Sequence, residues 1–139
     1  ELVSCPGAFP KISNIADEKH PFIEGEFRLA MNRPENCPAP APAAMGPMGA
    51  PSATLHYNDV DNAQKTRLGL FNFTYAGMRI ADLGNPQKPV EVAYFRPGDF
   101  CTGHVRYNQK TGQIWLTCFE SGFWVIELAP EVARAIRTK

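Results

Sequence analysis

An all-β chain of stacked, antiparallel four-stranded units is what the sequence predicts, on three observations. Two runs of strand-forming residues, Gly77 to Leu83 and Val90 to Phe95, flank the break Gly84-Asn85-Pro86-Gln87-Lys88-Pro89. That break reads as a hairpin turned by proline-fixed φ values and by an asparagine tolerant of unusual backbone angles. Phe9 to Phe27 copies the hairpin 68 residues earlier, pairing Ile12 with Ile80, Pro21 with Pro89 and Phe27 with Phe95. Gly122 to Leu128 copies its first half 45 residues later, with Gly122, Glu127 and Leu128 answering Gly77, Asp82 and Leu83. A period of this size, stretched once by an insertion, marks a repeated supersecondary unit, here of four strands.

Residues 1–32 are expected to form the outer hairpin of one unit, two strands about the turn Asp17-Glu18-Lys19-His20-Pro21. Residues 33–52 carry six prolines among Ala, Gly, Met45 and Met48. That composition forbids a sheet interior and favours an extended, solvated loop, a candidate contact surface. Residues 53–97 form a complete unit, with strands over Ser52 to Asn58, Thr66 to Phe73, Met78 to Leu83 and Val90 to Arg96. In the second of these, Leu68, Leu70 and Phe73 alternate with smaller or polar residues, as in a strand between packed layers. Residues 98–129 restart the cycle, since Thr102-Gly103-His104 repeats Thr54-Leu55-His56 at a spacing of 48, but supply only three strands. Pro130 opens a short helix or tail over residues 130–139.

At 139 residues the chain fits one domain. Fourteen Lys and Arg balance fourteen Asp and Glu without a like-charge run, so no electrostatic footprint for nucleic acid or an anionic membrane exists. The apolar runs are too short for a membrane span. Glu1-Leu2-Val3-Ser4-Cys5 lacks signal-peptide features and an initiating Met, which reads as a mature or excised piece.

None of the four cysteines stands in a C-x-x-C arrangement, which argues against a zinc ribbon and leaves two disulfides or free thiols. Geometry favours disulfides. A hairpin of Thr102 to Tyr107 and Gln113 to Cys118 about Asn108-Gln109-Lys110-Thr111-Gly112 brings Cys101 nearly opposite Cys118, and Cys5 and Cys37 bracket the first hairpin more loosely. Two bridges imply an extracytoplasmic location: secreted, periplasmic or cell-surface.

The stretch Thr66-Arg67-Leu68, then Ala76-Gly77-Met78-Arg79-Ile80-Ala81-Asp82-Leu83-Gly84-Asn85-Pro86-Gln87-Lys88-Pro89-Val90-Glu91-Val92-Ala93-Tyr94-Phe95, resembles the LVIVD-repeat β-propeller proteins. Their blades carry a core of Gly, hydrophobic, Arg, hydrophobic, any residue, Asp, followed by an Asp/Asn-Pro-x-x-Pro turn and a Glu-hydrophobic-Ala/Gly-Tyr-Tyr/Phe strand. Cys101, Arg106, Gly112 to Cys118 and Ser121 to Val125 are similar to the last blade of bacterial members. The resemblance covers most of the chain outside the proline-rich insert and is strongest over the middle unit. It implies a secreted or surface β-propeller, of which this sequence holds roughly two blades. A propeller needs four or more, so the chain is expected to be a C-terminal section, incomplete on its own. A remaining propeller segment or another polypeptide would then cover its open sheet edges.

His56 and His104 are expected at equivalent positions of successive innermost strands, lining the channel, where two imidazoles with Asp59 or Asp61 would ligate a transition metal. Repetition for packing is the alternative. Met45 and Met48 offer soft ligands for copper but read better as a surface loop, and His20 as a solvated turn residue. There is no G-x-S-x-G, no H-E-x-x-H and no phosphate-cradling glycine loop. Glu24 and Glu26 read as solvent-facing carboxylates, the sequon Asn72-Phe73-Thr74 as part of a strand, and Trp115, Trp124, Phe71, Phe73, Tyr94 and Phe95 as packing between blades. The expected function is an extracytoplasmic binding or assembly module, and the alternative is a metal-binding propeller enzyme using the channel histidines.

Overall fold

Strand-forming runs broken by Gly, Pro and Asn leave the chain little but short antiparallel meanders. A computed structural model describes residues 6–37, 53–98, 100–101 and 103–137, and within them the chain is all-β apart from two 3-10 turns and one helix. β1 (Lys11–Asn14) pairs with β2 (Phe22–Glu26) in the first sheet. β3 (Leu55–Val60), β4 (Leu68–Phe73), β5 (Gly77–Asp82) and β6 (Val90–Phe95) form the second, in chain order. β7 (Val105–Asn108), β8 (Gln113–Cys118) and β9 (Gly122–Ile126) form the third. The helix α1 (Pro130–Arg137) begins at the expected proline.

The 68-residue copy extends to individual hydrogen bonds. Lys11 pairs with Glu26 as Arg79 pairs with Tyr94, and Ser13 with Ile23 as Ala81 with Glu91. Both hairpins carry a register shift at the same step, Ile12/Ser13 and Ile80/Ala81. In one turn the Lys19 amide donates to Asp17 Oδ1 at 3.0 Å and the His20 amide to the Asp17 carbonyl at 3.1 Å. In the other the Gln87 amide donates to Asn85 Oδ1 at 3.1 Å and the Lys88 amide to the Asn85 carbonyl at 3.0 Å. Asn85 therefore serves through its side-chain acceptor and not, as expected, through an unusual backbone angle: every positive φ among the described residues belongs to glycine. Gly77 and Gly122, 45 residues apart, share such an angle (φ 73° and 77°) at the same point of two tight turns.

The second sheet lies between the other two. Leu68, Leu70, Met78 and Ile80 meet Val105, Ile114, Leu116 and the Cys101–Cys118 disulfide of the third sheet. On its opposite face Phe71, Phe73 and Ala81 meet Phe27 and Leu29, which follow β2. The Phe27 ring stacks on Phe71 with centroids 5.4 Å apart. All of β4 is buried as a result, so it alternates two apolar faces, and the expected contrast with smaller or polar residues holds only at Gly69 and Asn72. Close approach also explains Gly25, where a Cβ would run into the Pro86 carbonyl of the central turn.

Among the described residues the third sheet has no counterpart of β6. Where one would pack, a cavity of about 310 Å³ lies among Ile80, Ala93, Phe95, Ile126 and Leu128, and Val132 of α1 also lines it. Among the described residues no strand pairs with the outer edge of β6 or β9.

Candidate functional site

The seam between β3 and β7 gathers the histidines. Leu55 pairs with Phe73 and Tyr57 with Asn72, so His56 is the extra residue of a bulge. Beyond it Asn58 pairs with Phe71 and Val105 with Leu116, and Phe71 and Leu116 stand 45 apart, as in the other copied strands. The Gly103 amide donates to the Thr117 carbonyl at 3.1 Å while Val105 pairs with Leu116, so His104 is likewise an extra residue against its partner strand. His56 and His104, 48 residues apart in the Thr-x-His repeat, both stand out of register beside the seam of β3 and β7. Tyr57 packs against both imidazoles, edge-on to His56 at 4.4 Å and tilted over His104 at 3.9 Å between centroids.

The carboxylates expected beside them serve the backbone. Asp59 Oδ2 accepts the Tyr107 amide at 2.9 Å, tying β3 to β7. Asp61 Oδ1 accepts the Arg67 and Leu68 amides, each at 2.9 Å, and holds the β3–β4 turn. Among the described residues no group of three or more His, Cys, Asp or Glu is arranged to hold a metal.

Cys101 and Cys118 form the expected disulfide. Cys37 is disulfide-bonded as well, while Cys5 lies outside the described residues, as do Met45, Met48 and most of the proline-rich insert. Glu26 pairs with Arg28 at 2.9 Å, and Glu24 accepts Asn14 Nδ2 at 3.4 Å. His20 Nδ1 is 2.8 Å from Asp17 Oδ2 in an exposed turn. The sequon asparagine, Asn72, is fully buried and donates from Nδ2 to the Gly103 carbonyl at 2.7 Å. Of the aromatic residues assigned to packing, Phe71, Phe73 and the Phe95–Trp124 pair (5.2 Å) do pack between sheets. Tyr94 and Trp115 instead stand exposed, at 68% and 38%.

A second cavity, of about 370 Å³, opens where the β3–β4 and β7–β8 turns meet the C-terminal segment, lined by Asp61, Arg67, Tyr107, Thr111 and Glu127. Arg67 is engaged there: Nη2 donates to Asp82 Oδ2 at 2.8 Å. Its Nε lies 2.8 Å from Asp82 Oδ1, within ion-pair distance but off the line a hydrogen bond requires. The sequence gives no sign of this cavity because its lining comes from two turns and the C-terminal segment, which nothing in the order of residues brings together.

No protein-family model matches the chain, and no curated protein matches it. Among the described residues no helix is long and apolar enough to cross a membrane.

Proposed function

We propose that the chain is an extracytoplasmic β-propeller section of the LVIVD-repeat type, acting as a binding or assembly module that a further polypeptide segment completes. The observation that carries this reading is the periodic stack: hairpins 68 residues apart share register, bulge and turn bonds, and each sheet turns one face to the next. Successive sheets packed face to face, each a meander in chain order, are how propeller blades are built. The absence, among the described residues, of an outer strand on the third sheet supports an assembly role, since an open edge is a template for pairing. The buried Cys101–Cys118 bridge supports an oxidising compartment. A metal-dependent enzyme is less well supported, because a closed site needs about four ligands and Asp59 is committed to the Tyr107 amide.

The test is hydrogen exchange on the protein recovered from its native source. Alternate amides of β9 point away from β8. In a completed sheet they exchange slowly. If they exchange as fast as the exposed turn amides, the assembly reading fails.

A further inference from the structure

The face of the second sheet that meets the third has a counterpart on the third sheet, and that counterpart is left uncovered. On the second sheet, Leu70, Met78 and Ile80 are buried to between 0% and 2% exposure against the third sheet. The residues 45 positions on are Trp115, Phe123 and Val125, and the pairing agrees: Leu70 with Ile80 becomes Trp115 with Val125, and Asn72 with Met78 becomes Thr117 with Phe123. These three side chains are 38%, 61% and 49% exposed. Trp115 and Phe123 already lie edge to face, centroids 6.4 Å apart. The fourth buried residue of the second sheet's face, Leu68, becomes Gln113, whose Nε2 donates to Glu127 Oε1 at 3.3 Å.

Building on the propeller-section reading, we propose that this outer face of the third sheet seats a further antiparallel sheet of the same repeat, supplied from outside these 139 residues. Three of the four apolar positions of the covered face are apolar again on this one. The third sheet covers Leu70, Met78 and Ile80 with aliphatic residues of its inner strands, Val105, Ile114 and Leu116. The docking sheet therefore presents an uncharged aliphatic surface from its own inner strands, and Trp115 and Phe123 provide the aromatic anchors.

Its polar contact differs from the internal one. At the seam between the second and third sheets, Asp59 accepts a backbone amide. The residue level with Asp59 on the third sheet is Arg106, since Asp59 pairs with Leu70 and Arg106 with Trp115. Arg106 Nη1 donates to the Val105 carbonyl at 2.9 Å, and the other guanidinium N–H groups need acceptors of their own. The docking sheet offers them a strand carbonyl or a carboxylate, where the third sheet offers Asp59 an N–H.

The experiment places the photo-cross-linker benzoylphenylalanine at Phe123 of the full chain in its native host and maps the adducts by mass spectrometry. An adduct with a segment outside residues 1–139 that carries the core shared by Gly77 to Asp82 and Gly122 to Glu127, a strand opened by Gly and closed by an acidic residue, is the expected result. An adduct with a second copy of this chain, or with a segment lacking that core, overturns the docking assignment. Hydroxyl-radical footprinting of the unmodified protein guards against misfolding of the variant: Trp115 and Phe123 lose reactivity in the assembly, while Phe119, 79% exposed in the β8–β9 turn, keeps it. Undiminished reactivity at Trp115 overturns the assignment too. Protected β9 amides beside a reactive Trp115 remove the face docking alone, and exposure of both removes the propeller-section reading with it.

Discussion

Gly77 and Gly122 separate two contributions that usually come together. Both hold a positive φ, which costs any L side chain about 1–2 kcal/mol. A Cβ at Gly77 would also meet the Phe95 carbonyl and Arg96, whereas at Gly122 nothing lies within 4 Å. Gly122→Ala is therefore expected to lower stability by about 1–2 kcal/mol and Gly77→Ala by clearly more, as read from urea midpoints; equal losses would mean the Phe95 contact is not felt. Asp17 gives a pH dependence. The His20 side-chain bond, then the Lys19 amide, hold its carboxyl below its ordinary pKa of 3.8. A carboxylate with a depressed folded pKa supports the turn above its unfolded value and stops doing so as pH falls through the folded one. The Lys19 and His20 amide resonances are expected to shift only when acid reaches below 3.8 for this event, and Asp17→Asn should abolish that shift.

Elements here are held by what their faces meet. Phe27, 4% exposed, joins the first hairpin to Phe71 and Phe73. Truncation to Ala leaves a cavity between two aromatic rings and is expected to cost about 3–5 kcal/mol, releasing β1 and β2 before the rest in hydrogen exchange. The Cys101–Cys118 bridge closes a loop spanning 17 residues of sequence. Chain entropy puts its contribution near 3 kcal/mol, so replacing both cysteines with Ala should lower the urea midpoint by about that free energy. A negligible change would show that Val105, Ile114 and Leu116 alone hold the third sheet on the second.

Within the described residues the sheets stack with a protected centre and an exposed face at either end. β4 and β5 are covered on both sides, while Ile15 and Ile23 at one end and Phe123 and Val125 at the other stand at least 49% exposed. Opening free energies follow burial. Amide exchange is expected to be slowest in β4 and β5, faster in β1, β2 and β9, and fastest in α1, whose described side chains are exposed or half-buried. Uniform protection across the sheets would contradict this ordering.

The strands and their chain-order pairing were legible in the residues because local chemistry sets them: strand runs with period 2, Pro and Gly breaks, and turn acceptors at Asp17 and Asn85 placed by a 68-residue copy. The Cys101–Cys118 pairing was legible for the same reason, since a short hairpin fixes which residues face each other. The irregular pairing at His56 and His104 was not legible, because a bulge is a matter of cross-strand register and the Thr-x-His motif looks the same with or without an extra residue. Nor does the order of residues say which apolar face is covered. Leu70 and Trp115 occupy the same place in the repeat, and only the packing of three sheets buries one and leaves the other in water.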